Sequence, residues 1–247
     1  HIKDKVDLIV WPESATSSYI LQNNKNNLEW IQSILNKTKL ITGIPYYNDN
    51  KGEKEYYNSA TLISKESFTD PYHKMILVPM AEHIPLSNFF PKLKKLNIGQ
   101  ANFSSGKKYK LFNVKNINIA TMICFESTIP YISAEFVKKG AEILIYLVND
   151  GWYENPPQPQ QHAKQSIYRA IENRRPVIRS TNTGISMIID IKGNIQKDLP
   201  LNIKGTISGI VIPSNEITFY TKYGDKFAQI NVFISLFLVL GLFFRRK

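Results

Sequence analysis

The sequence predicts an α/β protein in which helices pack around a large mixed sheet, and three observations lead to this expectation. Apolar segments rich in β-branched residues alternate with amphipathic helical patterns, and the last of these segments follow one another closely, as strands do. The 247 residues are 43% hydrophobic and 12% aromatic, which is enough for one large core. The 12 Gly and 13 Pro are spread along the chain without a repeat, which excludes disordered, low-complexity and repeat proteins.

The predicted strands are apolar runs, several of which lack polar alternation and are therefore expected to be buried on both faces. They cover residues 8–11, 40–44, 60–64, 117–124, 143–148, 177–181, 185–189 and 207–212. Helices are predicted over residues 27–36, 130–139 and 160–175, and Gly140 and Pro176 end the second and third of them. Residues 79–110 mix aromatic, Pro and Lys residues and are expected to form a long functional or mobile loop.

The chain carries a formal net charge of +11, which favours an anionic partner such as nucleic acid or a phospholipid surface. The basic residues are scattered, with the densest runs at 92–95 and 245–247, so most are expected to be ordinary solvated cations. The chain has no helix-turn-helix or paired-cysteine zinc-finger pattern, and we predict no nucleic-acid partner.

The C-terminal residues 230–244 read INVFISLFLVLGLFF and are followed by three cations. A membrane span needs about 20 apolar residues, and a start at Phe227 brings the run close to that length. The pattern predicts a transmembrane helix over 227–247 with its basic end in the cytoplasm, and a domain at 1–226 on the other side. A buried core helix is the alternative. Because the chain begins at His1 and soon reaches strand-like residues, we expect a fragment, and any signal peptide or preceding membrane helix would lie outside it.

Three polar residues lie at or just after predicted strands, where α/β folds usually place their sites. They are Glu13, Lys74 and Cys124, and Cys124 is the only cysteine of the chain. A carboxylate can deprotonate a thiol, and a nearby ammonium can stabilise the anions that form during acyl transfer. Each residue also has an ordinary interpretation, as a turn acid, a surface cation and a small buried hydrophobe. A lone cysteine excludes an intramolecular disulfide, and no ligand spacing indicates a metal.

Seven motifs stand in order along nearly the whole chain: WPESA, ITGIPYYN, YHKMILVPMAEHIPL, ICFES, LVNDGWY, QQHAKQSIYRAIENRRPVIRSTNTGIS and TFYTKYGD. Together they resemble the nitrilase superfamily and, within it, the apolipoprotein N-acyltransferase family. The resemblance implies a four-layer α-β-β-α sandwich, with Glu13 as general base, Lys74 as electrostatic stabiliser and Cys124 as nucleophile. It also implies supporting roles for Glu82 and Glu126, while the backbone N–H of Phe125 is a candidate oxyanion donor.

By the same resemblance, the acyl donor is a phospholipid, typically phosphatidylethanolamine, and the acceptor is a diacylated apolipoprotein. A Cys124 thioester links the two half-reactions, no cofactor is needed, and a monomer is expected. The location implied is a bacterial inner membrane, with the catalytic domain on its outer, periplasmic side. Within the loop at 84–96, Phe89 and Phe90 are expected to insert into lipid. Trp152 and Tyr153 are candidates for an acyl pocket or a lipid contact, with core packing as the alternative.

Other parts of the motifs are expected to be structural. His162 is interpreted as a hydrogen-bonded residue, Arg169 and Glu172 as an ion pair across one helical turn, and residues 182–184 as a turn between strands. Two other functions use the same scaffold. One is a nitrilase-type amidase that acts on small amides with water as acceptor, and the other is a noncatalytic membrane-tethered binding module.

Overall fold

The computed structural model describes residues 6–50, 52–85, 102–153 and 157–245, with backbone alone for 50 and 242–245. The strands of this part of the chain form two sheets. The first sheet has the order β1-β2-β3-β4, with β1 Leu8–Val10, β2 Lys39–Asn50, β3 Glu53–Ile63 and β4 Tyr72–His73. The second has the order β10-β9-β8-β7-β6-β5, with β5 Leu111–Val114, β6 Ile117–Ile123, β7 Ile143–Val148, β8 Val177–Thr181, β9 Ser186–Ile189 and β10 Ile195–Leu199.

The helices lie outside the two sheets. They are α1 Lys25–Ile34, α2 Pro130–Lys138, α3 Gln158–Asn173, α4 Phe219–Tyr223 and α5 Lys226–Arg245, and a short 3₁₀ helix covers Cys124–Thr128. Successive side chains of β2 point to opposite faces of the first sheet. Leu40 packs with Leu28 of α1 on one face, and Ile41 packs in the core of the second sheet on the other. All six residues of β7 are buried, as expected for a strand covered on both faces.

The first sheet covers one face of the second, and α2 and α3 pack against the second sheet through residues such as Ile132, Phe136 and Ala170. The layers are therefore α-β-β-α, as predicted. Both sheets are mixed. In the second, β6, β7 and β8 are parallel, and β5 and β9 flank them in antiparallel orientation. The carboxyl ends of the three parallel strands consequently share one edge of the sheet.

The predicted strand at 207–212 is wrong. No ladder hydrogen bond involves this segment in the part of the chain that the structure describes, and Ile210 and Ile212 are 83% and 75% exposed. A run of β-branched residues becomes a strand only where a neighbouring strand pairs with it. The prediction also missed β4, β5 and β10, and it underestimated the hairpin of β2 and β3, whose outer half is polar and aromatic.

The C-terminal segment is helical, but the expected transmembrane helix is not confirmed. Among the described residues, no helix is long and apolar enough to cross a membrane. The first turns of α5 hold the polar residues Lys226, Gln229 and Asn231, so the described apolar stretch falls short of the roughly 20 residues that a span needs. A buried core helix is also wrong, because Phe227 and Phe237 are more than three-quarters exposed. Phe89 and Phe90 lie outside the described residues.

Candidate active site

Cys124 directly follows β6 at the edge where the parallel strands end. Its φ of 49° lies in the left-handed region, which is uncommon for a residue with a side chain. Here it marks a sharp turn from the strand into the 3₁₀ helix. The side chain is 9% exposed, and its Sγ lies 3.9 Å from the carbonyl oxygen of Asn149, which follows β7. The turn therefore places a buried thiol beside the ends of two strands.

Lys74 follows β4 of the first sheet and is only 1% exposed. Its Nζ lies 2.8 Å from both carboxylate oxygens of Glu82 and 3.8 Å from Oε1 of Glu13. Backbone hydrogen bonds hold the segment on both sides, since the Lys74 N–H donates to Asn58 and the Gly106 N–H donates to the Lys74 carbonyl. A buried ammonium is thus fixed between two carboxylates.

Glu13 reaches the same cluster from the turn after β1. A Cβ on Gly43 of β2 would lie only 2.7 Å from Pro12, Glu13 and Ser14 backbone atoms, so this turn can cross β2 only where the residue is glycine. Asn58 donates to Glu13 Oε1 at 2.6 Å. The other oxygen, Oε2, is buried and has no hydrogen-bond partner of normal geometry among the described residues. Glu13 therefore keeps a free acceptor inside the site.

Burial and charge set the protonation of these three groups. Burial raises the pKa of Glu13, and the neighbouring Lys74, Asn58 and Cys124 thiol only partly oppose it. Burial and the charge of Glu13 also raise the pKa of Cys124 well above its usual value, with Lys74 opposing. For Lys74, burial lowers the pKa, but Glu13, Cys124 and Glu82 outweigh it and the pKa is raised. The resting cluster holds a neutral thiol, a charged lysine and a carboxylate that readily takes a proton.

Glu126 lies two residues after Cys124 and is completely buried. One carboxylate oxygen accepts hydrogen bonds from the Tyr72 hydroxyl and the Met75 and Ile76 N–H groups, and the other accepts from the Ile123 N–H at 2.7 Å. Glu126 thus ties the segment that carries Lys74 to the turn that carries the thiol. It has the geometry of a positioning residue.

A second polar network lies behind Cys124. His162 is buried, and its Nδ1 lies 2.7 Å from Asp150 Oδ1 while its Nε2 lies 2.9 Å from the Ser127 hydroxyl. Arg179 of β8 donates to Asp150 Oδ2 at 2.9 Å. His162 is therefore a buried, hydrogen-bonded residue, as predicted, and is not placed as a metal ligand among the described residues. The expected Arg169–Glu172 ion pair is also present, with a separation of 2.9 Å.

Trp152 and Tyr153 do not pack in the core, because they are 74% and 42% exposed. The Tyr153 ring contacts the His162 ring edge-on, with 6.3 Å between centroids. Burial raises the pKa of Tyr153, and the charge of Cys124 adds to the effect. Phe125 is half-buried, and as an early residue of the 3₁₀ helix it has no acceptor for its N–H within the helix.

Across residues 6–50, 52–85, 102–153 and 157–245, no group of three His, Cys, Asp or Glu side chains is placed to hold a metal ion.

Three residues of the site were missed by the sequence reasoning. Asn58 is a buried polar residue of β3, and its side chain donates to Glu13. Asn182, which the sequence placed only in a turn, donates to the Glu13 carbonyl at 3.1 Å. Asp150 follows β7 at the edge where β6 delivers Cys124. The rule that singled out Cys124, a polar residue after a buried strand, would also have selected Asp150.

The layers and the cluster at the strand ends define an α/β protein of the nitrilase-like class, and the chain belongs to the carbon-nitrogen hydrolase family, whose profile matches residues 2–218. Within this class, the chain is similar to proteins named apolipoprotein N-acyltransferase. It is 34% identical over 244 residues to the one from Geobacter metallireducens, with 98% of this chain and 46% of the relative covered. For the one from Chlorobaculum tepidum, the identity is 32% over 269 residues, with 99% and 50% covered.

The chain thus spans about half the length of the curated relatives it matches. Among solved structures, it resembles a carbon-nitrogen hydrolase from Helicobacter pylori G27 with a TM-score of 0.58 and 22% identity, over 78% of this chain and 73% of the other. This likeness supports the fold.

Proposed function

We propose that this chain is the catalytic part of an apolipoprotein N-acyltransferase, which moves a fatty acyl group from a phospholipid to the N-terminal amine of a diacylglyceryl-cysteine. The names of its relatives support the substrate class. One structural observation carries the chemistry: Glu13, Lys74 and Cys124, which are about 50 to 60 positions apart in sequence, converge in one buried cluster. Such a cluster can move a proton and hold an anion without water.

In the first half-reaction, Glu13 takes the proton of the Cys124 thiol, and Sγ attacks the ester carbonyl carbon of the phospholipid. The proton transfer moves a negative charge from the carboxylate to the sulfur within the cluster, so the net charge beside Lys74 does not change. Lys74 Nζ and the Phe125 N–H stabilise the tetrahedral oxyanion. The carbon–oxygen bond then breaks, Glu13 returns the proton to the leaving oxygen, and an acyl thioester and a lysophospholipid result.

In the second half-reaction, the amine of the acceptor attacks the thioester carbonyl. Glu13 takes a proton from the attacking nitrogen, the carbon–sulfur bond breaks, and Glu13 gives that proton to the leaving sulfur. The products are an amide and the original thiol. Negative charge on Glu13 or Cys124, together with Glu82, keeps Lys74 charged. Glu82 is hydrogen bonded to the ammonium, and we assign it the role of holding that group in place.

Both substrates are lipids, so the site has to meet a bilayer. We assign this contact to α5, whose side chains such as Phe233, Phe237 and Leu238 are more than half exposed, and to the exposed ring of Trp152, two residues after Asp150 in the chain. Apolar residues exposed in this number are typical of surfaces that bind lipid or protein. A phosphatidylethanolamine donor, a monomeric enzyme and a periplasmic site at the inner membrane complete the proposal.

The proposal is tested by incubating the purified protein with phosphatidylethanolamine vesicles and no acceptor, followed by mass spectrometry of the peptide that contains Cys124. We expect a fatty-acyl mass on Cys124 that hydroxylamine removes, and no such mass in Glu13→Gln. The exposed Glu66 provides the matched control, since Glu66→Gln changes the same chemical group outside the site. Hydrolysis of small amides by a protein that never carries a lipid acyl group would instead identify an amidase.

A further inference from the structure

The backbone carbonyl of Cys124 is held by side chains that the proposed reaction does not use. The Ser127 hydroxyl donates to Cys124 O at 2.8 Å, and His162 Nε2 lies 3.3 Å from the same oxygen. His162 Nε2 is also 2.9 Å from the Ser127 hydroxyl, so the three groups form a closed triangle. Ser127 is fully buried and His162 nearly so. Two buried side chains therefore converge on one peptide group of the site.

We propose that Ser127 and His162 are positioning residues for the oxyanion of the acyl-transfer step, acting through the peptide bond between Cys124 and Phe125. The inference rests on the proposed function only in taking Cys124 as the nucleophile and the Phe125 N–H as an oxyanion donor. Neither side chain contacts the reacting atoms in this arrangement. Their effect is carried by the orientation and polarity of a single peptide plane.

Peptide geometry explains why a bond to the carbonyl acts on the N–H. The peptide group is planar and trans, so its C=O and N–H point in opposite directions. A donor that fixes Cys124 O on one side of the plane therefore fixes the direction of the Phe125 N–H on the other. Hydrogen bonds to the carbonyl also polarise the group and strengthen its N–H as a donor. The positive φ of Cys124 makes such support necessary, because a strained residue persists only where its surroundings hold it.

Buried ionic groups hold His162 in place. Asp150 accepts the Nδ1–H of His162 with one oxygen and a hydrogen bond from Arg179 with the other. Burial raises the pKa of Asp150, but His162 and Arg179 outweigh this and lower it, so the carboxylate stays ionised. A carboxylate only accepts, so Nδ1 of His162 carries a proton, and this contact sets the ring plane. Gly184 leaves room for the carboxylate, since a Cβ there would lie 2.0 Å from Asp150 Oδ2.

The experiment compares two reactions of the same thiol in the full protein. A fatty aldehyde adds reversibly to Cys124: Sγ bonds the carbonyl carbon, Glu13 takes the thiol proton, and the hemithioacetal carries a tetrahedral oxyanion. Iodoacetamide alkylates the same thiol with release of iodide and forms no oxyanion. For Ser127→Ala we expect about tenfold weaker aldehyde binding, a fraction of the 10²–10³ that loss of a whole oxyanion donor costs, because the N–H itself remains. The iodoacetamide rate should remain within about twofold of wild type. Ser127→Thr keeps the hydroxyl and should restore aldehyde binding.

Ser133 supplies the matched control. It is also a fully buried serine, but its hydroxyl bonds the Tyr146 hydroxyl at 2.8 Å and does not contact Cys124. Ser133→Ala should lose stability as Ser127→Ala does while leaving the aldehyde-to-iodoacetamide ratio unchanged. His162→Gln keeps a polar amide near the position of Nε2 and should have a smaller effect on that ratio than His162→Ala.

The outcomes separate the two ideas. If wild-type protein forms no aldehyde adduct on Cys124, the proposed function fails. If wild type forms the adduct and Ser127→Ala binds the aldehyde equally well, the positioning role is overturned while Cys124 remains the nucleophile. Equal losses in both reactions would mean that Ser127 only supports the local fold, which also overturns the inference.

Discussion

Two buried carboxylates on opposite sides of Cys124 have opposite properties. Glu13, on the side of the first sheet, has one oxygen that no hydrogen bond of normal geometry engages among the described residues, and its pKa is raised. Asp150, on the side of the second sheet, has both oxygens engaged and a lowered pKa. Burial is the largest influence on both and favours the neutral acid in each case. The number and charge of the hydrogen-bond donors therefore decide which carboxylate can take a proton and which stays ionised.

The largest effect is expected from replacing Glu13, and it concerns the rate at which Cys124 is acylated. Glu13→Gln removes the proton acceptor but keeps the shape and the Oε1 atom that Asn58 contacts. We expect acylation of Cys124 to slow by about 10³, within the range for loss of a general base, with little change in the free energy of unfolding. Single-turnover mass spectrometry and urea denaturation measure the two quantities. A variant that acylates at the wild-type rate would remove Glu13 from the mechanism.

For the Asp150 side, the expected effect is on the free energy of unfolding. Asp150→Asn leaves the buried Arg179 without its ionic partner, and breaking a buried pair typically costs about 3–5 kcal/mol of stability. Because the folded-state pKa of Asp150 is lowered, its contribution is present above the unfolded-state pKa and is lost as the pH falls through the folded-state value. The gap between variant and wild type should therefore close in acid. The exposed Asp198 gives the control, Asp198→Asn, which should have almost no effect at any pH.

A smaller effect is expected from the residue that accommodates Asp150. Gly184→Ala places a methyl group 2.0 Å from Asp150 Oδ2, which forces the carboxylate to move. Overpacking of this kind costs about 1–3 kcal/mol, and urea denaturation would measure it. Gly241→Ala serves as the control, because a Cβ there has nothing within 4 Å and lies in α5. Equal stabilities of the two variants would contradict the close contact at Gly184.

The smallest effect is expected from a change in the pKa of Glu13. Asn58 donates to the ionised Glu13 and lowers its pKa, so Asn58→Ala should raise that pKa further. The acylation rate falls in acid as Glu13 becomes protonated. Its half-maximal point should therefore move to higher pH in the variant, by about one unit or less. A pH–rate profile of both proteins measures the shift, and a shift to lower pH would show that another group controls the acid limb.

The sequence predicted the layers better than the edges. Central strands such as β7 are continuous apolar runs, so their composition predicts that they are buried on both faces. The outer hairpin of β2 and β3 and the strand β10 are polar, and segment 207–212 is apolar without being a strand. Whether a segment forms an edge strand depends on the strand that pairs with it, and the composition of the segment does not identify that partner. The helix at the C-terminus was predicted, but its expected span of a membrane was not confirmed.

By itself, the sequence determined the residue types and their places after strands. It supplied a single thiol, a lysine and several glutamates within motifs of a recognisable order. It also set the alternation of side chains along β2, by which Leu40 and Ile41 pack in two different hydrophobic cores. Only the tertiary structure decided which groups meet, because Glu13, Asn58, Lys74 and Cys124 come from different segments brought together by two stacked sheets. It also decided their protonation, since burial and neighbouring charges shift a pKa and neither can be read from position in a chain.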